Sequence, residues 1–461
     1  MGELTPAQFD YVLFHLKHHA CLPDDLIRGF MRQSASHSIN VSNRVIFFSS
    51  ATEFVQKEVV EISGLPVLFP CSQRKEFFFF DDSGNLVFCH DLLKAIFYLL
   101  SGYQEYENRT SRDALNRFSY TDSIQHKLGF VAKPLVNYYM EVLIDGLRQF
   151  CLKNNVSLER RKLFHTFGFL LTHDIDVVDY YTYNFLGYKF KEIVGIKKSK
   201  LPVYSNVKLF VHGLLKYLRL SKKDNPYWNF EYLRRLERNR AFRSVFFFLD
   251  KGIKNHDAPY SFDEKRMIEL FSFLQVENCE IGLHGTVKSV HNSDVMKSSL
   301  EKLQKASEVG VTGIRQHRLL WEHPRTAEIQ ESIGLKYDST LGFAAHEGFR
   351  NSYCWPYRLF SFEQDRMLDV WEYPLNVMDV TLFAYQQYTP ETAMEKCIAL
   401  IDEIQKFGGV FTVLWHNSFF DEDVYPGVTN FYSSLLNEIA LRVPENVTGN
   451  ELTMRIENHV R

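Results

Sequence analysis

Strand and helix signals alternate from about residue 163 onward, and that alternation predicts an α/β fold, a parallel sheet or barrel with helices outside it. Two further observations support this. The chain has 461 residues, enough for two or three domains at about 150 residues each. Before residue 160 the pattern is different, with short strands and helices mixed and few catalytic residue types, which predicts an α/β accessory domain. The expected division is residues 1–160 and 161–461.

In the first part, Arg44-Val45-Ile46-Phe47-Phe48, Val67-Leu68-Phe69 and Phe77-Phe78-Phe79-Phe80 read as strands, the last closed by the turn Asp81-Asp82-Ser83-Gly84-Asn85. Helical spacing follows: Leu92, Leu93, Ile96, Phe97, Leu99 and Leu100 form one apolar face, and Val136, Tyr139, Met140, Leu143 and Leu147 form another. In the second part the candidate strands are 167–171, 243–249, 280–283, 313–315, 367–372 and 409–414, with helices such as 298–308 and 392–407 between them. Strand ends in such folds carry the site.

Residues 185–223 interrupt the alternation with ten Lys or Arg against the single acid Glu192. Val207, Phe210, Val211, Leu214, Leu215 and Leu218 recur at helical spacing, while Lys208, His212, Lys216 and Arg219 take other positions. This is a basic amphipathic helix. It is either a surface helix packed on its own barrel or an interfacial helix leaning on an anionic membrane leaflet.

Composition narrows the function classes. Apolar residues make up 45% of the chain, charged residues 24%, and the net charge is −3, so no nucleic-acid partner is expected. The seven cysteines are scattered and contain no Cys-x-x-Cys pair, which suggests a reducing compartment. No basic and apolar leader is visible, and no apolar run reaches the roughly 18 residues that span a bilayer. The expected location is cytoplasmic.

The chemistry concentrates at strand ends. The apolar run Phe167-Gly168-Phe169-Leu170-Leu171 leads into Thr172-His173-Asp174-Ile175-Asp176. Two Asp one residue apart on an extended strand point the same way, so they can converge on one metal and one water. His284 follows Glu280-Ile281-Gly282-Leu283, Arg315-Gln316-His317 follows Gly313-Ile314, and His416-Asn417 follows Leu414-Trp415. A hydrolase of amide or ester bonds needs a divalent cation to acidify water and polarise a carbonyl, with His and Asp as suitable ligands. It also needs a carboxylate base and an acid for the leaving group. An Arg beside the base keeps it ionised and oriented.

In this order, Thr-x-Asp-x-Asp, Glu-Ile-Gly-Leu-His, Arg-x-x, Tyr-Asp-Ser-Thr and Leu-Trp-His-Asn, the chain resembles the polysaccharide deacetylase superfamily (NodB-type, carbohydrate esterase family 4), over about residues 165–430. It is most similar to a branch with an Asp-x-Asp first motif and an uncharacterised N-terminal domain. Further similar segments are Asp224 to Trp228, Ser244 to Leu249, Leu341-Gly342-Phe343, Gly348-Phe349-Arg350, Glu372 to Leu375 and Met378-Asp379; in the first part they are Asp91 to Leu100 and Asn116-Arg117-Phe118. The resemblance implies a distorted (β/α) barrel of about seven strands. It implies removal of acetyl groups from an N-acetylated sugar or polysaccharide, with a divalent metal, zinc first and cobalt, manganese or nickel as alternatives. By the same resemblance Asp174 is the general base, Asp176 and His284 are metal ligands, Arg315 is the partner of Asp174, and His416 is the acid.

One position departs from that pattern. The superfamily's second motif has two histidines four residues apart, and four after His284 stands Lys288, which cannot ligate while protonated. His317, His291 or His173 could complete the set, with His317 the leading candidate. Three other features have bland expectations: Asp338 and Ser339 begin a loop lining the pocket, His323 and His346 are solvated loop residues, and Phe419 to Asp423 is either a lid or an ordinary surface loop. Two other functions compete with the deacetylase. One is a small-molecule C–N amidohydrolase on the same fold, as in allantoinase-like relatives; the other is a carbohydrate-binding protein whose hydrolytic site has decayed. A lipid-linked sugar precursor of a surface polysaccharide, a nucleotide sugar and a small glycoside are all compatible substrates.

Overall fold

In the computed structural model, the described residues are 2–24, 26–28, 38–41, 44–199, 201–218, 220, 225–252, 257–422 and 424–460. Arg219, Asp224 and Asp423, which the sequence reading used, lie outside them.

The second half of the chain builds one curled, mainly parallel sheet. Its strands are β1 (Gly168–Ile175), β2 (Ser244–Leu249), β3 (Glu280–Gly285), β4 (Gly313–Gln316), β5 (Tyr337–Asp338), β6 (Tyr357–Ser361), β7 (Arg366–Glu372), β8 (Val377–Met378), β9 (Val410–Leu414) and β10 (Glu445–Asn446). Their order is β6-β7-β5-β4-β3-β2-β1-β9-β8, with β10 also beside β1, and every pairing is parallel except β6 with β7. Buried parallel strands read as continuous apolar runs, and Ser244-Val245-Phe246-Phe247-Phe248-Leu249 is buried at all six positions. The expected α/β class therefore holds. β5, β6, β8 and β10 are additions: β5, β8 and β10 have two residues and no period to detect, and the five-residue β6, buried at four of five positions, shows no clean alternation.

β1 is longer than its apolar run. Phe167–Leu171 was the expected strand, yet the extended backbone continues to Ile175 and carries Thr172 and Asp174 inside it. These polar residues tolerate burial because Arg315 satisfies them, as described below.

The first half holds helix α1 (Pro6–His19), a four-stranded sheet of Ser38–Val41, Arg44–Phe48, Leu86–Phe88 and Phe78–Phe80, and the helices Leu92–Leu100 and Leu135–Lys153. The expected strand at Val67-Leu68-Phe69 is instead Leu65–Val67, one side of a short hairpin with Val60–Ile62, with Leu68 and Phe69 buried beyond it. The two halves share a continuous apolar core: the ring of Phe97 meets Tyr11 and Phe360 edge-on at 5.7 and 5.1 Å. The Arg350 guanidinium donates to both oxygens of Glu105 at 2.7 and 2.6 Å, a buried fork across the seam. Gly348 beside it has φ +127°, and a Cβ there would lie 2.5 Å from the Val131 carbonyl, so only glycine fits.

The basic segment is two helices, α2 (Tyr183–Ile193) and α3 (Val203–Tyr217), that pack on each other. The inner seam of α3 is Asn206, Leu209 and Gly213. A Cβ on Gly213 would sit 2.9 Å from the Phe185 ring, so the helices meet closely there. Lys189 locks the pair by donating to Glu192 at 2.8 Å and to Asn206 at 3.2 Å. Of the two expectations for the apolar stripe, packing on the barrel does not hold, since Val207, Val211, Leu214, Leu215 and Leu218 are exposed.

Among the described residues no helix is long and apolar enough to cross a membrane.

Candidate active site

The C-terminal ends of β1, β3, β4 and β9 converge on one cavity of about 170 Å³, into which Asp174, Asp176, His284, His317 and His416 open. The pleat decides which β1 residues reach it. Thr172, Asp174 and Asp176 share one face, and His173 takes the other. His173 is fully buried there, 2.8 Å from the Trp415 carbonyl through Nδ1 and 2.7 Å from Glu237 through Nε2. It is therefore removed from the candidate ligands. His291 is exposed and lies outside the cluster, and Lys288 is exposed as well.

Asp176, His284 and His317 each offer a ligand atom within 4.8 Å of the others. His284 Nε2 lies 3.2 Å from Asp176 Oδ1, and His317 Nε2 lies 3.7 Å from Asp176 Oδ2. The tautomers suit a cation. His284 Nδ1 is 2.8 Å from the Arg315 carbonyl, which can only accept, so the neutral ring carries its hydrogen on Nδ1 and keeps a lone pair on Nε2. His317 Nδ1 faces Asp257 at 3.4 Å in the same sense. Backbone and carboxylate acceptors behind the ring are the usual supports of metal-binding imidazoles. Asp176 Oδ1 is buried and accepts no hydrogen bond. Burial raises the Asp176 carboxyl, but His317, His284 and His416 outweigh it and hold the group far below the usual carboxylate range. The donor set, with its orphaned carboxylate oxygen, fits a divalent cation.

Asp174 is held from the opposite side. Arg315 is fully buried, and its Nη1 donates to Thr172 Oγ1 at 2.7 Å and to Asp174 Oδ1 at 3.0 Å. Nη2 and Nε donate to the Ser339 hydroxyl and carbonyl at 2.9 and 2.7 Å, and the guanidinium rests over Phe247 at 4.7 Å. A buried cation this fully bonded fixes its carboxylate partner. Asp174 Oδ2 lies 3.6 Å from His284 Nε2. Ser339 therefore braces Arg315 rather than lining the pocket, and Asp338 is buried in β5 with bonds to Gln330 and Thr340.

His416 is oriented by a residue to which the sequence reading gave no role. Asp379, just past β8, accepts from the His416 backbone N–H and sits 2.8 Å from its Nδ1. Burial lowers the His416 pKa, yet Asp379 and then Asp176 overcome this and raise it to about 10. Its Nε2, 3.9 Å from Asp176 Oδ2, faces the cavity. Asp257 was likewise missed; both lie far from their histidines in sequence, and only the resemblance had pointed to Met378-Asp379.

The first half of the chain supplies part of the cavity wall through Leu115 and Arg117. The tight loop 113–117 carries them: Asp113 Oδ1 accepts from the N–H groups of Leu115 and Arg117, and its Oδ2 accepts from the Arg117 side chain at 2.7 Å. Arg117 then reaches the Tyr385 hydroxyl at 3.1 Å and the Arg318 carbonyl at 3.4 Å. Arg318 and Leu319, also on the wall, both have left-handed backbone (φ 61° and 54°), an uncommon state for such residues that is often found at functional sites. Phe419 and Phe420 pack inward, with Phe419 stacked on Tyr425 at 4.1 Å, so they form no open lid. His346 stacks on Tyr120 at 4.6 Å, and His323 is buried rather than solvated.

A family of unknown function, DUF7033, matches residues 20–151. No curated protein matches the chain. Among solved structures, a putative polysaccharide deacetylase from Mycobacterium smegmatis is 17% identical with a TM-score of 0.41, covering 64% of this chain and 91% of its own. PuuE allantoinase is 10% identical with a TM-score of 0.40 over 64% and 91%. A CE4 family pseudoenzyme from Bacillus anthracis is 9% identical with a TM-score of 0.31 over 50% and 61%. These scores describe partial backbone overlap, and the functional reading rests on the side chains of the site.

Proposed function

We propose that this protein is a metal-dependent hydrolase that removes acetyl groups from an N-acetylated carbohydrate. The observation that carries the proposal is the meeting of Asp176, His284 and His317 within 4.8 Å at the strand ends, with Asp174 braced by Arg315 on one side and His416 by Asp379 on the other. Asp176, His284 and His317 would hold the cation, with zinc the first candidate and cobalt, manganese or nickel as alternatives. When bound, it would acidify water and polarise the acetyl carbonyl. Asp174 takes the proton on Oδ2, its Oδ1 being committed to Arg315. Arg315 holds that carboxylate in place through a charge-assisted hydrogen bond. His416 donates from Nε2 to the departing amine, while Asp379 holds the other ring nitrogen.

The cavity favours a small acyl group. At about 170 Å³ it lies below the roughly 300–1,000 Å³ of sites that enclose a drug-sized ligand, so it suits an acetamido group with the sugar ring outside. The same size supports a second reading, a compact amide substrate taken whole by a C–N amidohydrolase. Seven unpaired cysteines support a reducing, cytoplasmic setting.

The test is to measure bound zinc, cobalt, manganese and nickel in the purified protein, then acetate release from a panel of N-acetyl sugars beside ammonia or amine release from small amides. Stoichiometric metal with acetate release supports the deacetylase. Metal with turnover of small amides alone moves the assignment to the amidohydrolase. No metal and no turnover after metal supplementation leaves a decayed, binding-only site.

A further inference from the structure

We propose that the α2–α3 hairpin is a docking surface for an anionic lipid bilayer. Fourteen of the twenty-six exposed large apolar side chains among the described residues lie between 183 and 220. Val203, Val207, Val211, Leu214 and Leu215 give α3 an outward apolar face; Phe190, Val194 and Ile196 are exposed on α2 and the turn beyond it, and the Phe190 ring meets Phe210 of α3 at 6.3 Å. Exposed apolar side chains concentrated in one hairpin to this degree mark an interaction site rather than chance exposure.

Charge and residue type select the occupant. Lys191, Lys197, Lys198 and Lys208 are exposed around the apolar face, and the segment's one acid, Glu192, is buried and consumed by Lys189. The hairpin surface is therefore cationic without compensating carboxylates, and long lysine stems can lie along apolar surface while their ammonium groups reach phosphate. Tyr183, Tyr188, Tyr204 and Tyr217 are exposed among them, and tyrosine is the residue that settles where hydrocarbon meets headgroup. A protein groove would bury an apolar stripe away from charge. A broad apolar face rimmed by lysine and tyrosine matches the boundary of an anionic leaflet, where apolar burial and headgroup attraction add.

The hairpin is positioned to present this face. It enters and leaves the fold just past the end of β1, the strand that carries Asp174, and Asn225 ties its return to the Val178 carbonyl at 2.7 Å and to Asp179 at 3.1 Å. Its two helices pack mainly on each other, which leaves the outer faces free of the sheet. The proposal is independent of the hydrolytic reading, because it concerns a surface outside the cavity.

Co-sedimentation of the full chain with vesicles of phosphatidylcholine, with and without phosphatidylglycerol, tests it directly. The expected result is partitioning at least tenfold stronger on the anionic vesicles, weakened by salt. Combined Lys191→Glu, Lys197→Glu, Lys198→Glu and Lys208→Glu should remove that preference. Val211→Ser with Leu214→Ser and Leu215→Ser should reduce binding tenfold or more at unchanged circular dichroism, since all are exposed. Equal binding to both vesicles, or none, overturns the proposal. So does a concentration-dependent dimer that the serine variant dissociates while vesicle binding is absent, which would assign the face to self-association.

Discussion

His284 and His416 at the strand ends, and His15, His18, His19 and His323 along the seam between the two halves, are all largely withdrawn from water, yet their pKa values move in opposite directions. Burial alone lowers an imidazole pKa. At the seam it prevails: His15 falls well below its ordinary value, His18 and His323 to about 4, and His19 to about 3. At the strand ends burial acts equally but is overcome, by Asp174 and Asp176 for His284 and by Asp379 for His416. The partners explain the contrast. His15 Nδ1 faces the Tyr11 carbonyl while its Nε2 accepts from the Arg358 N–H, a pairing only the neutral ring satisfies. His19 meets the Tyr353 hydroxyl, and His323 faces a Glu105 already committed to Arg350. One residue type thus packs as a neutral ring in one region and stands beside carboxylates at the cavity in the other, and carboxylate placement decides which.

The sharpest break of this comparison is at the carboxylates of the site. Asp176→Ala or His284→Ala should abolish bound metal and lower turnover about 10³-fold or more, read by metal analysis and acetate release. If metal remains at full occupancy in both variants, the site is not the ligand set. Next, Asp174→Asn should keep metal but lose about 10²- to 10⁴-fold in rate, because it removes only the base. Asp379→Asn tests His416 more finely. Without that carboxylate the His416 pKa falls from about 10 toward its ordinary value, so activity should be lost at lower pH on the alkaline side; an unmoved profile contradicts its role as acid.

At the seam the readout is stability. The histidines there have folded pKa values below the unfolded value of about 6.5, so their neutral packing is fully favourable above that pH. It is lost as pH falls toward their folded values of about 4 and 3, because the unfolded chain binds protons first. Denaturant unfolding should show a drop on the order of a few kcal/mol between pH 7 and 4, and His18→Gln should flatten it. Smallest, Arg117→Ala should raise KM several-fold with little change in metal content, since it removes one wall of the cavity and no ligand. An unchanged KM would separate the first half of the chain from substrate binding.

Much of the site was legible because its residues sit at the ends of apolar runs. His284, Arg315 and His416 follow directly from that pattern, and period two already assigns Asp174 and Asp176 to one face. The same period excludes His173, a signal available in the sequence but outweighed by its nearness to the motif. Asp379, Asp257, Ser339 and Leu115 were not legible as partners, because nothing local distinguishes an acid that braces a histidine from one that faces solvent. Strands of two residues, such as Tyr337–Asp338, were lost for lack of a period, and the α3 seam of Asn206, Leu209 and Gly213 was not legible because nothing in the sequence says which face of an amphipathic helix meets a neighbour.

Hydrophobic periodicity and strand-end chemistry, which are local along the chain, by themselves determined the α/β class, the order of the catalytic-type motifs and the faces of β1. Tertiary structure alone decided that His317 rather than His173 or His291 joins Asp176 and His284, that Arg117 reaches the cavity from the other half, and which histidines stand beside a carboxylate. Those outcomes depend on distances between residues tens to hundreds of positions apart, and only the packing of the curled sheet against its neighbours sets them.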